Sequence, residues 1–599
     1  MRDVFPRGFT TLRFPVLLAI CAATIGMNGC ADPKALFGTR PSEKMPAYKP
    51  VEIHLVTQNW SSNEREWFYH TAQGTVLLPY RWFLALEQPQ IKFFGTVPKF
   101  SDPEYLARFG FLPDHASSQN PDGLPVGFAK HTVVDPFDKK ERSVEVIGLT
   151  CAGCHTGQVE YRGKGIRIDG GSASIDLSSF QSELGYALAF TDKIPFRFNR
   201  FARVVLGDNA SKEDKTELRQ DLKAFLNSGL AERHMADAGK LYEAAGGFGR
   251  TDALGRIGNY VFGTELDNAN LRVADAPVNF PPLWYTSWFA WVQYNASIQQ
   301  PMMRNIGEAL GVRARVNLTD PSKLYRSTVH VKNLWEMENL IAGQAAFAGL
   351  KSPLWPTEIL SQIDQTKARR GEELYKQHCQ HCHLPPLNSP GIQDPKYWEI
   401  GLDGKKFLKL NVIPLEVIGT DPKEASNWAQ RKAVTGALGL GTVSAAEALR
   451  MVTGKIRDRN YDALGLSAEQ RMEWNGFRED GVAAPLGYRA RPLGGLWATP
   501  PFLHNGSVPN LYQLLIPGDE RDKVFYVGSR EFDPIKVGYS TSQSEGAFEF
   551  RTDQPPKDSH PGNSNAGHEF RNSALGNGVI GPALSDEERW AIIEYLKTL

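Results

Sequence analysis

The chain has 599 residues, 41% apolar and 22% charged, with 67 basic and 67 acidic side chains and a formal net charge of zero. That length exceeds one ordinary core and predicts two or three domains. The neutral balance and the lack of repeats or low-complexity tracts exclude a disordered chain, a solenoid and a basic nucleic-acid binder, so no nucleic-acid partner is expected.

The N-terminus carries Arg2, Arg7 and Arg13 ahead of the apolar run F-P-V-L-L-A-I-C-A-A-T-I-G. A basic start followed by a short apolar run predicts a signal peptide over residues 1–29. The run ends in M-N-G-C, which resembles a bacterial lipoprotein box with Cys30 as the lipid-bearing residue, although Met27 stands where leucine is usual. The expected location is outside the cytoplasm: periplasmic, or an outer-membrane or cell-surface lipoprotein held to the membrane by lipid at Cys30. Residues 30–145 follow, rich in aromatics and proline (W-F-Y-H, L-P-Y-R-W-F, F-F-G-T-V-P-K-F). They read as an extension packed on the domain after them.

The cysteines decide the class. There are six: Cys21 in the signal, Cys30, and two pairs, C-A-G-C-H from Cys151 to His155 and C-Q-H-C-H from Cys379 to His383. Pairs that share one zinc usually stand about 15–20 residues apart, far closer than these, and need no attached histidine. A thioredoxin-like dithiol would occur once, without the histidine. Covalent haem c uses all five positions: two thiols add to the two vinyl groups, and the next residue is held beneath the iron as proximal ligand. Two covalently bound haem c groups are therefore expected, on Cys151, Cys154 and His155 and on Cys379, Cys382 and His383, with iron on His155 and His383. His378 and His381 read as surface residues or propionate neighbours.

The flanks of the second motif predict helices. Ala368, Gly371, Leu374 and Tyr375 fall on one helical face before Cys379. At the C-terminus, Ser585 and Glu588 form a capping box, and Trp590, Ile593, Leu596 and Leu599 make an apolar stripe. These flanks resemble a small c-type cytochrome domain, in which a C-terminal helix crosses the helix before the haem motif; the resemblance implies that Gly371 allows close approach to Tyr595. The domains expected are 146–350 around the first motif and 365–599 around the second, joined by the proline-interrupted K-S-P-L-W-P-T-E-I-L. The fold class expected is mainly α: two cytochrome-c-like haem domains with long loops and an N-terminal extension.

The segments I-G-L-T-C-A-G-C-H-T-G, I-R-I-D-G-G, G-F-G-R-T-D-A-L-G-R-I-G-N, R-P-L-G-G-L-W-A-T-P-P-F-L-H-N-G-S-V-P-N-L-Y and G-N-S-N-A-G-H-E-F together resemble the bacterial di-haem cytochrome c peroxidase superfamily, and more closely its di-haem rubber oxygenase (RoxA-like) branch. The resemblance implies a first haem open to peroxide or dioxygen and a second closed by two histidines. It puts His568 opposite His383, with His504 in F-L-H-N-G as the rival. Superfamily peroxidases use a methionine here, and no methionine follows His504; Met451 and Met472 precede it and read as core. Laying A-P-V-N-F-P-P-L-W-Y-T-S-W-F-A-W-V-Q-Y-N…I-G-E-A-L-G over the superfamily pattern matches Trp291 to an inter-haem tryptophan, Glu308 to a distal acid and Ile306 to the distal phenylalanine of the rubber oxygenases. Ile306 keeps the pocket apolar but lacks the ring, and W-V-Q-Y-N departs from the peroxidases' W-D-G-R. Arg250 and Arg256 are candidates for propionate pairing, with surface salt bridges as the alternative. His234 and His330 read as exposed or structural. The function expected is an exported di-haem oxidoreductase. Three readings stay open: a peroxidase fed by a small redox protein, an oxygenase cleaving an apolar polyene, and a pure electron-transfer cytochrome.

Overall fold

The computed structural model of the protein describes residues 42, 45, 48–90, 96–138, 140–242, 244–543, 548–553 and 562–599. The signal segment and Cys30 lie outside the described residues. No helix among the described residues is long and apolar enough to cross a membrane.

Strand β1 (Glu52–Leu55) is followed by helix α1 (Ser62–His70), which starts on a capping box between Ser61 and Glu64. Strands β2 (Phe128–Val134) and β3 (Ser143–Leu149) pair antiparallel with Phe128 opposite Leu149. The first motif is the single turn α2 (Cys151–Cys154), and β4 (Thr156–Tyr161) leads straight out of it. Strand β5 (Lys164–Asp169) pairs antiparallel with β4 and parallel with β1. Two small sheets therefore meet end to end at C-A-G-C-H. The turn fits only because glycine faces glycine: Gly127 has φ +92°, and a Cβ there would come 2.2 Å from the Cα of Gly153.

Helices α3 (Leu177–Lys193), α4 (Pro195–Leu206) and the largely exposed α5 (Lys212–Ala238) come next. Helices α6 (Pro301–Gly311) and α7 (Val331–Ala342) follow, and α7 reaches the first motif through Met337, whose sulfur is 3.9 Å from that of Cys151. Helix α8 (Gln365–His378) is capped by Asp364, which accepts from the amides of Thr366 and Lys367, and runs into the second motif at α9 (Gln380–His383). Strand β6 (Asn411–Pro414) pairs antiparallel with β7 (Gly487–Ala490); α10 (Ala445–Ala463) lies between them in sequence. Helix α11 (Asp586–Lys597) closes the chain on the expected Ser585–Glu588 capping box. It crosses α8 at Gly371, where a Cβ would meet the Ala591 carbonyl oxygen at 2.0 Å and Tyr595 Cβ at 2.7 Å. Ala368, Gly371, Leu374 and Tyr375 are the buried face of α8, as their spacing predicts.

The mainly α expectation needs correction. Helix makes up 39% and strand 16%, spread over many small sheets, so the fold is mixed. Most strands are two to four residues long, too short to show alternation in sequence. The first motif is a single helical turn between two strands, with no long helix leading into it.

Two apolar clusters fill the interior. The larger runs from Trp60 to Leu596 and includes α6, α8 and α11. The second is dense in rings: Phe83, Phe100, Phe109, Phe111, Phe128 and Phe180 pack mostly edge to face, with centroids 4.8–6.2 Å apart. Cys151 packs against the first cluster and Cys154 against the second, so the first motif lies on their seam.

Candidate functional site

In the first motif the α2 turn carries Cys151 and Cys154 at i and i+3, on one side of the turn. His155 follows, and its Nδ1 lies 2.8 Å from the carbonyl oxygen of Pro281. A carbonyl can only accept, so Nδ1 holds the hydrogen and Nε2 is left as a ligand. In the second motif, His383 Nδ1 lies 2.7 Å from the carbonyl of Arg491, which dictates the same tautomer. Asn411 on β6 steadies this loop, donating to the carbonyls of His381 at 3.0 Å and Cys382 at 2.9 Å. Burial pulls both histidines down to about 4, so each imidazole is neutral at neutral pH, the form that binds metal. Burial likewise pushes the thiols of Cys154 and Cys379 up to about 12 and raises those of Cys151 and Cys382. In these surroundings the thiols are neutral at neutral pH.

The structure brings His568 to His383: the ring centres are 6.1 Å apart and the planes tilted by 67°. Two imidazoles on opposite sides of one metal, each bonded at about 2.0–2.1 Å with its ring centre about 1.1 Å beyond the nitrogen, stand roughly 6.3 Å apart. The pair therefore fits a single iron between them. Burial and the neighbouring His383 hold His568 near 3, and its Nδ1 is buried without a hydrogen-bond partner. His504 lies elsewhere, stacked on Tyr488 at 4.0 Å and edge-on to Tyr294 at 6.1 Å. Among the described residues, no three His, Cys, Asp or Glu side chains converge as a bare metal cage requires. At each motif a thiol pair stands beside a pinned imidazole, the groups a covalently attached haem would use.

Across from the first motif, α6 presents Arg304 and Glu308. Gln293 Nε2 donates to Glu308 Oε1 at 3.1 Å, and Arg304 stands 4.0 Å from the same oxygen while pairing with Glu338. Burial raises the Glu308 carboxyl, opposed by Arg304, and the Glu308 charge in turn raises both first-motif thiols. Ile306 is fully buried in the core on the same helix, about 200° around it from Glu308. The structure does not bring the two onto one face. Trp291 packs against Gly481, where a Cβ would stand 2.9 Å from its ring. His330 lies edge-on to His131 at 4.9 Å, and His234 is exposed on α5.

Arg250 is 2% exposed; it donates to Asn563 at 2.7 Å and covers Phe550, while its Nε and Nη1 are buried without partners. Arg256 donates to Ser178 at 3.0 Å and covers Tyr242. Sequence reasoning passed over Arg489 and Arg491. Arg489 donates to the Gln293 carbonyl at 2.5 Å and has a buried Nη1 without a partner. Burial lowers both guanidinium groups to about 10. The R-A-R alternation before P-L-G-G was their one visible signal; Arg489 lies on β7 and Arg491 follows its last residue.

Residues 487–526, which begin at β7 and include Arg489, Arg491 and His504, match a family described as RoxA-like, cytochrome c-like. The chain is 25% identical over 336 residues to the uncharacterized protein y4iM of Sinorhizobium fredii, covering 53% of this chain and 64% of that one. It is 45% identical over 580 residues to the uncharacterized protein y4iJ of the same organism, covering 93% of this chain and 95% of the relative. The chain therefore belongs to the family of y4iJ, and it carries a RoxA-like, cytochrome c-like segment over residues 487–526.

Proposed function

We propose that this protein is an exported di-haem c-type oxidoreductase. The observation that carries the reading is the matched pair of pinned histidines, with His568 facing the second at 6.1 Å. Cys151, Cys154 and His155 would hold one haem, and Cys379, Cys382, His383 and His568 the other. Bound there, haem supplies one-electron chemistry at both sites and, where a coordination position stays open, a place for peroxide or dioxygen.

The chain's own residues divide that work. The carbonyls of Pro281 and Arg491 fix each proximal imidazole in orientation and tautomer. His568 closes the second site against small ligands, which makes it the electron-storing one. At the first site, Glu308 lies where it can hold or deliver a proton, and Gln293 and Arg304 fix its carboxyl. Arg250, Arg489 and Arg491 offer buried donors suited to propionate carboxylates. Residues 30–145, 146–350 and 365–599 are the corresponding extension and haem domains. An N-terminal lipid at Cys30 would keep the protein at the periplasmic or cell surface. The partner is a small redox protein for peroxide reduction, or an apolar polyene if the first site activates dioxygen.

The purified holoprotein tests this by its optical spectrum, as isolated and after carbon monoxide or peroxide. One responsive and one inert haem is the expected result. Two inert haems would leave an electron carrier only. A stable oxygenated spectrum in air selects the oxygenase, and rapid peroxide turnover with a reduced small cytochrome selects the peroxidase.

A further inference from the structure

A cavity of about 50 Å³ lies where the start of α3, the short helix Ala253–Gly258 and the C-terminal end of α6 meet. That is room for roughly four waters. Thr264 and Tyr242, both exposed, open it to solvent. Leu149, Leu177 and Val312 give it an apolar lining, and the groups facing them are cationic and phenolic. Arg256 donates to Ser178 Oγ at 3.0 Å and lies over the Tyr242 ring, 4.9 Å from its centre. Arg313 lies over the Tyr260 ring at 4.9 Å and pairs with Glu232 of α5 at 2.9 Å. Each guanidinium is thus braced by a phenol ring. Asn259–Thr264 winds as a π turn, a form that recurs at functional sites, and it brings Tyr260 and Thr264 to the cavity together.

Among the described residues no carboxylate lines this cavity, and none pairs with Arg256. The carboxylates whose charge reaches Arg256 are engaged elsewhere. Asp252 accepts from the amides of Gly255 at 2.7 Å and Ala276 at 3.0 Å, and Asp176 accepts from the amide and hydroxyl of Ser179 at 2.9 and 2.7 Å. Burial lowers the Arg256 guanidinium, opposed by Tyr242 and Asp252, and the Arg313 charge lowers it further. Two cations therefore act on one small enclosed space, and Glu232 balances one of them. An anion between them would offset the repulsion. We propose that this cavity binds a small organic carboxylate, its head on Arg256 and Arg313 and its short carbon chain against Leu149, Leu177 and Val312. Guanidinium forks match a carboxylate bidentately. The apolar lining favours an anion with a carbon tail over phosphate, whose remaining oxygens would lose water there without gaining partners. The site uses none of the thiols or imidazoles of the two motifs, so it goes beyond the di-haem reading.

The test is calorimetric titration of the full matured protein with butyrate, with butyramide as its uncharged counterpart, and with inorganic phosphate. One butyrate per chain is expected, with butyramide and phosphate each weaker by roughly 10-fold or more. Arg256→Gln and Arg313→Gln should each weaken butyrate by a similar factor. Arg315→Gln should bind as the parent does, because Arg315 pairs with Asp135 at 3.0 Å and does not line the cavity. If the Gln variants fail to mature, Arg256→Lys and Arg313→Lys, which keep the charge and lose the fork, decide by the same rule. No saturable butyrate binding, the result if a haem propionate fills the cavity, would overturn the proposal. Equal affinity for butyramide or phosphate, or parental butyrate affinity in both arginine variants, would overturn it as well.

Discussion

At the scale of single residues, three side chains carry separable predictions. His568 faces His383 while His504 stacks on Tyr488. His568→Ala should convert one haem from six-coordinate to ligand-binding and leave the other's spectrum alone, whereas His504→Ala should leave both coordination states as they were. An unaltered spectrum in His568→Ala would remove it as a ligand. Glu308 has its carboxyl raised by burial, and its charge raises both first-motif thiols. Glu308→Gln should keep both haems and lose about 10²–10⁴-fold in peroxide or dioxygen turnover, the usual worth of a placed proton donor; full turnover in steady-state assays would assign it to packing. Glu424 is 4% exposed, and burial raises its carboxyl to about 8. The folded protein then keeps a proton that the unfolded chain releases, so this group's contribution is whole at low pH and is lost as pH rises toward about 8. Glu424→Gln should melt near the parental temperature at about pH 4 and be more stable than the parent at about pH 8 by a few kcal/mol. Parallel melting curves across that range would place Glu424 in an ion pair instead.

At the scale of elements, the second motif was more legible than the first. A 3.6-residue stripe on α8 and a capping box on α11 print the two helices in the sequence, and the resemblance to a small c-type cytochrome domain supplied their crossing at Gly371. The first motif is framed by β3 and β4, and the sheets around it gain their burial from chain segments far away: β1 reaches β5 across more than a hundred residues. Such pairings leave no local periodicity. Arg489 and Arg491 were missed for a similar reason, since their meaning comes from Tyr294, Trp284 and His383, none of them neighbours in sequence. The crossing makes its own prediction. Gly371→Ala puts a methyl group into the Ala591 carbonyl, an overpacking that costs about 1–3 kcal/mol. The holoprotein should melt lower and lose the second haem's native spectrum first. An unchanged melting temperature would mean the helices do not touch there.

At the scale of the whole molecule, the arrangement is one of two sites held by different scaffolds and joined through the polypeptide between them. The first lies on the seam of the two apolar clusters; the second lies where α8, the β6–β7 pair and the 568 loop converge. His155 and His383 each bond a backbone carbonyl rather than a carboxylate, so side-chain substitution at Arg491 leaves its hydrogen bond in place. The central claim is that porphyrin is attached by thioether bonds at both motifs. The most direct measurement is the intact mass of the protein produced in a host competent for cytochrome c maturation, beside variants with both cysteines of one motif replaced by alanine. The parent should carry the mass of two haems and each double variant that of one. A parent that carries one haem or none would contradict it.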